Sequence, residues 1–177
     1  MYKRQPEYFD EDSPTQRVGG AVTKNFNTIQ HEYRMYSLDN GYSKEELLDW
    51  EKRVHKGLGT ADVEFVCELK YDGASISIHY ENGRLAKAVT RGDGFQGDEI
   101  TTNIKTIRAV PLKLKGDYPE KFEIRGEIIL PLEGFAKMNQ ELIEIGETPY
   151  SNPRNTASGS LKLQDSCLLY TSPSPRD

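Results

Sequence analysis

The stretch CELKYDGASISIHYENG (67–83) holds the residues with the most chemical promise. Glu68, Lys70 and Asp72 alternate through what otherwise reads as a strand, although lysine is a poor β-former. Lys70 stands at the strand's end before a glycine turn. A lysine held on a rigid element beside a mobile loop is well placed to act as a nucleophile. A free lysine amine titrates near ~10.4, so about one in a few thousand is neutral near pH 7. Burial or a second cation must lower that value before the amine attacks anything, and Arg91, at the end of the following hairpin, is a candidate cation. An activated lysine can form a Schiff base with a carbonyl, or attack phosphorus to give a phosphoramidate. The surrounding arginine and glutamates favour phosphate and ribose: arginine binds phosphate, and carboxylates accept from ribose hydroxyls or hold Mg²⁺. The alternative is a sheet with a wet side, whose alternating charges simply face water.

The elements that must position these residues follow from periodicity. Ser43 and Glu46 form a capping box. Leu47, Trp50, Val54 and Leu58 then share one helical face, with Gly57 and Gly59 ending the helix. EFVCELKYDG predicts a strand with Phe65, Cys67, Leu69 and Tyr71 on one face and Val66, Glu68, Lys70 and Asp72 on the other. ASISIHYENGRLAKAVTR predicts a hairpin turning at Asn82-Gly83, a pair suited to a type I′ turn. DEITTNIKTI predicts a short helix with Ile100, Ile104 and Ile107 on one side, and AVPLKL an edge strand because of Pro111. In FEIRGEIIL, Phe122, Ile124, Gly126 and Ile128 share a face opposite Glu123, Arg125 and Glu127. PLEGFAKMNQELIEIG predicts a helix with Leu132, Phe135, Met138 or Asn139, Leu142 and Ile145 inward, stopped by Gly146. SNPRNTASGSLK reads as a polar loop turning into a helix. Hairpin-joined strands with inserted helices predict an α+β fold with largely antiparallel sheets.

Composition narrows the class. The 177 residues suffice for one domain with a real core, and 29% charged residues fit a globular chain. No apolar run approaches the ~18 residues of a membrane span, and no leader signals secretion, so no membrane partner is expected. Cys67 and Cys167 lie in dissimilar segments, so the expectation is free thiols in a reducing cytoplasm. Three scattered histidines and two cysteines make no zinc pattern. The net charge of −5 argues against a wholly basic nucleic-acid surface, not against a local one. GDGFQG (92–97) matches G-x-G-x-x-G, but it follows the second strand of a hairpin. A dinucleotide-binding turn needs a parallel βαβ unit, so a Rossmann site is not expected. RGD (91–93) reads as a coincidence of three letters.

CELKYDG, TRGDGFQGDEITTNIKTIRAVPLKL, FEIRGEIILP and SNPRNTASGSLK, in this order, closely resemble the adenylation (nucleotidyltransferase) domain of bacterial NAD⁺-dependent DNA ligase. DSPTQRVGG and His31-x-x-x-Met35-x-SLDN resemble the segment just upstream in that family, with Arg34 standing where the family usually has proline. The resemblance covers 12–166. It implies that Lys70 attacks the α-phosphate of NAD⁺, expels nicotinamide mononucleotide and holds AMP as a phosphoramidate. The AMP passes to the 5′-phosphate of a nick in double-stranded DNA, and the 3′-hydroxyl then displaces it. It implies further that Ser37, Leu38 and Glu68 line the adenine pocket, and that Arg91 and Glu127 contact the ribose–phosphate part. Asp72 and Gly73 would shape the turn, with Arg154 and Lys162 as possible DNA contacts. The cofactors implied are NAD⁺ and Mg²⁺ or Mn²⁺, with zinc only in a C-terminal part beyond this chain. The partners implied are NAD⁺ and nicked DNA, for a cytoplasmic monomer.

Two other readings stand beside this one. An ATP- or GTP-using nucleotidyltransferase fits Lys-x-Asp-Gly but not the SLDN and RGDGFQGDEITTN blocks. A non-catalytic module with the same fold would have lost the nucleophile, and Lys70 is present. The ends look foreign. CLLYTSPSPRD (167–177) and MYKRQ (1–5) match translations of a transposase sequencing adaptor. The expected layout is therefore 6–36 as a linker remnant of an N-terminal helical module and 37–166 as a partial adenylation domain. On this reading the domain's final strands lie outside the chain, and the piece alone is poorly stable and does not ligate.

Overall fold

The computed structural model describes residues 26–163, so both adaptor-like ends and DSPTQRVGG lie outside the described residues. The described residues divide into two compact units. One is Tyr36–Lys70; the other takes in the residues before Tyr36 and after Lys70.

The larger unit is built on a three-stranded antiparallel sheet in the order β3-β2-β5, with β2 Ala74–Glu81, β3 Arg84–Thr90 and β5 Lys121–Ile128. The hairpin between β2 and β3 turns at Asn82 and Gly83, which adopt φ values of 50° and 73°, as a type I′ turn requires. In β2 and β5 the period-two pattern sets the register. Ala74, Ile76, Ile78 and Tyr80 lie opposite Ile128, Gly126, Ile124 and Phe122 on one face; Ser75, Ser77 and His79 lie opposite Glu127, Arg125 and Glu123 on the other. A one-residue slip would bury every charge, so the pattern fixes the pairing.

The apolar face carries the core. Ile76, Ile78, Tyr80, Leu85 and Ala88 pack with Ile100, Ile104, Val110 and Leu161. Ile104 is fully buried from α2 (Thr101–Thr106), and Leu161 closes the core from α4 (Pro153–Leu161). Asn152 caps α4, its side chain accepting from the Asn155 amide, and Pro153 occupies the first turn where its missing N–H costs nothing. Buried Asn103 donates to the carbonyls of Leu161 (2.7 Å) and Leu163 (2.8 Å), answering the orphan acceptors at the end of α4.

A second, two-stranded sheet pairs β1 (Thr28–Gln30) with β4 (Gln96–Asp98), in a region the sequence reading leaves irregular. The pairing continues as hydrogen bonds from His31 N to Phe95 O (2.8 Å) and from Met35 N to Gly94 O (2.9 Å). Residues 28–35 are thus laid along the glycine-rich loop. A Cβ at Gly97 would overlap the Thr90 carbonyl, which is why the chain has glycine there.

Three expectations are corrected. AVPLKL forms no strand: Lys113 makes a single bridge to Arg84, with Leu85 N–Leu112 O and Leu114 N–Gly83 O bonds beside it. Pro111, lacking an N–H, limits the ladder. In α3 (Leu132–Glu144), Phe135, Met138, Asn139 and Leu142 are half-buried as expected, but Leu132 and Ile145 are exposed at the helix ends. The third concerns the Tyr36–Lys70 unit. Its helix α1 (Lys44–Leu58) is capped by Ser43, which accepts from Glu46 N, while Glu46 accepts from Tyr42 N. The helix ends at Gly59 with φ 71°, and Gly57 lies inside it. Trp50 meets Phe65 at 5.3 Å between ring centroids. The predicted strand through Lys70, however, does not form: residues 62–72 carry no regular structure. Strand geometry needs a neighbour to satisfy its amides and carbonyls, and among the described residues none pairs with this segment. Val66 and Leu69, on opposite faces of the predicted strand, are 85% and 79% exposed.

Candidate nucleotide site

The larger unit brings together Asp72, Gly73, Arg91, Glu127 and Arg154 around the start of β2. The chain enters that strand through Gly73, packed so closely on β5 that a Cβ would overlap the Ile128 carbonyl oxygen. The Gly73 amide donates to Glu127 Oε1 (3.1 Å), and the Ser75 hydroxyl to Glu127 Oε2 (2.6 Å). Both oxygens of this half-buried carboxylate are therefore held, one by the glycine of Lys-x-Asp-Gly and one by Ser75 at the start of β2. The Ser75 carbonyl accepts from the Arg91 amide (3.2 Å). The Arg91 carbonyl in turn takes the Gly94 amide at 3.0 Å and stands 3.1 Å from His31 Nε2. Arg91 is thus fixed by its backbone, with Glu127 and Arg91 both hydrogen-bonded to the first turn of β2.

Asp72 pairs with Arg154 of α4 (3.3 Å), and Asp98 with Lys162 (2.8 Å). All four side chains are at least about a third exposed, so each pair contributes roughly 0–1 kcal/mol. A phosphate can compete for either cation at little cost. Ser37, Leu38, Glu68 and Lys70 belong to the Tyr36–Lys70 unit, where all four are exposed. The common face expected for Glu68 and Lys70 is absent, because their strand is not formed. Cys67 is a free, exposed thiol.

The glycine-rich loop is no phosphate cradle. Asp93 Oδ1 accepts from the amides of Phe95 (2.8 Å) and Gln96 (2.9 Å), and those bonds hold its carboxyl below the usual range. With the Gly94 amide on Arg91, three of the loop's donors are already spent. β3 runs antiparallel to β2, as expected for a hairpin and not for a Rossmann unit.

A polar network on β2 and β5 was not singled out from the sequence. Ser77 donates to Glu123 Oε1 (2.7 Å) and lies 2.9 Å from His79 Nε2. A hydroxyl has one proton, so with that proton on Glu123 it accepts from His79, which places the imidazole proton on Nε2. Arg125 joins Glu123 (2.6 Å) and reaches the carbonyls of Tyr33 (2.5 Å) and Arg34 (3.0 Å). The Arg34 guanidinium lies over the Phe95 ring at 4.2 Å, in cation–π range. Partial burial alone would raise Glu123, but the bonds from Arg125 and Ser77 outweigh it and hold the carboxyl low. Burial, and then Lys87, lower His79, against the opposing pull of Glu123. The signal was available in the S-x-S-x-H and E-x-R-x-E alternations, once the two strands are set side by side in register.

The chain matches the NAD-dependent DNA ligase adenylation domain over residues 23–171. It belongs to that family. Its relatives include the DNA ligase of Flavobacterium psychrophilum, 75% identical over 97% of this chain, and that of Flavobacterium johnsoniae, 73% identical over 97%. The DNA ligase of Marinobacter nauticus is 49% identical over 95%. The chain spans about a quarter of the length of these ligases: 27% of the first two and 25% of the third. Membership of an adenylation-domain family agrees with the α+β architecture of antiparallel sheets and helices. No helix among the described residues is long and apolar enough to cross a membrane.

Proposed function

We propose that the protein containing this chain is a bacterial, cytoplasmic NAD⁺-dependent DNA ligase that seals nicks in duplex DNA, and that this chain supplies its nucleophile. One observation carries the reading beyond family membership. Glu127 is locked by Gly73 and Ser75, both within three residues of the Lys70-Tyr71-Asp72 stretch. A carboxylate has about four acceptor positions; two are filled by the chain, and the others suit the hydroxyls of a ribose.

In this account Lys70, once deprotonated, attacks the α-phosphorus of NAD⁺. The P–N bond forms as the P–O bond to nicotinamide mononucleotide breaks. Ser37, Leu38 and Glu68 receive the adenine, Glu127 the ribose, and Arg91 the phosphate. The nick's 5′-phosphate oxygen then takes the AMP from Lys70, and the 3′-hydroxyl displaces AMP to close the strand. Arg154 and Lys162, whose ion pairs are exposed, exchange Asp72 and Asp98 for DNA phosphates.

Among the described residues no group of three or more His, Cys, Asp or Glu side chains could hold a metal ion. Mg²⁺ or Mn²⁺ would come with the nucleotide, held through its phosphates. The isolated chain does not ligate, since among the described residues the segment bearing Lys70 has no strand partner and α1 buries none of its residues. The test is nick sealing by the full-length protein and by this chain, each with NAD⁺ or ATP. Sealing by the full-length protein with NAD⁺ alone is expected. Sealing with ATP, or by the chain alone, would contradict the proposal.

A further inference from the structure

We infer that Ser75 is a positioning residue for the nucleotide, acting through Glu127. The inference rests on the proposed role of Glu127 toward ribose and extends it to a side chain with no assigned part. Ser75 lies directly opposite Glu127 in the β2–β5 register, on the same face of the sheet. Its hydroxyl gives Oε2 the shorter of the two bonds, 2.6 Å against 3.1 Å from the Gly73 amide. The two donors differ in kind. The Gly73 amide is part of the backbone and cannot be withdrawn without moving the turn. The Ser75 hydroxyl is a side chain that substitution removes while the strand remains.

A glutamate side chain held at one oxygen only can still turn about its terminal torsion. Held at both oxygens, it presents its remaining acceptor positions in one direction. The ordering cost is met on folding and not on binding, which is how preorganisation raises affinity. Ser75 therefore acts on binding of the adenosine ribose and not on the transfer of AMP to Lys70.

The experiment uses the full-length ligase and follows formation of the adenylated enzyme with NAD⁺. Ser75→Ala raises the KM for NAD⁺ about ten-fold, the lower end of what one hydrogen bond to a charged group is worth, with kcat nearly unchanged. Ser75→Thr keeps a hydroxyl on a residue that strands favour and restores the KM. With NAD⁺ analogues lacking the 2′- or the 3′-hydroxyl of the adenosine ribose, the Ser75→Ala penalty shrinks for whichever hydroxyl Glu127 receives. Glu127→Ala separates the two layers of the account. If it raises the KM while Ser75→Ala does not, Ser75 has no positioning role. If Glu127→Ala leaves the KM unchanged, the ribose reading fails and this inference fails with it. An equal Ser75→Ala penalty on NAD⁺ and both deoxy analogues, or a loss confined to kcat, would also overturn it.

Discussion

Replacing Gly73 by alanine tests the turn that links Lys-x-Asp-Gly to the sheet. The added Cβ would overlap the Ile128 carbonyl oxygen and come within 3.1 Å of Ile129 Cγ2. The first obstacle is backbone in a paired strand and cannot rotate aside. Crowding of this kind costs about 1–3 kcal/mol. The turn must also draw back from β5, which breaks the Gly73–Glu127 bond, and a bond to a charged group is worth about 1.5–3 kcal/mol. Both effects act on one piece of backbone, so they do not simply add. A net cost of about 2–4 kcal/mol follows, or on the order of 30- to 1,000-fold in the local opening equilibrium. Hydrogen–deuterium exchange of the full-length protein reads this directly. Exchange at the start of β2 should accelerate, and adenylation should fall with it. Unchanged exchange across residues 74–78 together with undiminished adenylation would refute the reasoning, because the turn would not need the close approach.

Two further outcomes follow from buried or partly buried polar groups. Asn103→Asp keeps the shape but replaces a donor with a carboxylate facing the Leu161 and Leu163 carbonyls. It should destabilise the larger unit by at least about 3 kcal/mol, and more than Asn103→Leu, as read by thermal melting; equal effects would count against the capping role. Acidification should weaken the β2–β5 pair in two stages, seen in exchange protection of those strands. His79 is lowered by burial and Lys87, so its contribution is complete above its unfolded value, ~6.5, and is lost as pH falls through the lower folded value. Glu123 is also held low, so its contribution disappears below ~4.3 as pH falls through its own folded value. His79→Gln should abolish only the upper stage; protection that rises on acidification would contradict both assignments.

Much of the larger unit could be read from its residues because its patterns are local. Asn82-Gly83 sets the hairpin, and the alternation of Phe122 to Ile128 sets the faces of β5. The isoleucines at 100 and 104 mark the buried side of α2. What escaped reading depends on pairing between distant segments. Thr28–Gln30 is short and has no alternation of its own; it is a strand because Gln96–Asp98 lies beside it. The strand predicted through Lys70 has the right alternation and no partner among the described residues, so pattern without pairing gave the wrong structure there. The candidate site divides the same way. Glu127 and Gly73 were expected from the resemblance, and the structure joins them. Ser75 and Ser77 reach Glu127 and Glu123 only when β2 and β5 are in register. The ion pairs of Arg154 with Asp72 and of Lys162 with Asp98 also join residues far apart in the chain, which no local pattern encodes.

The most direct test of the central claim is to locate the adenylate. The full-length protein would be incubated with NAD⁺, digested under conditions that preserve phosphoramidates, and its peptides examined by mass spectrometry. AMP should be found on Lys70, released by acid, and absent from a Lys70→Arg variant. AMP on another residue, or an adenylated protein obtained with ATP and not with NAD⁺, would contradict the account.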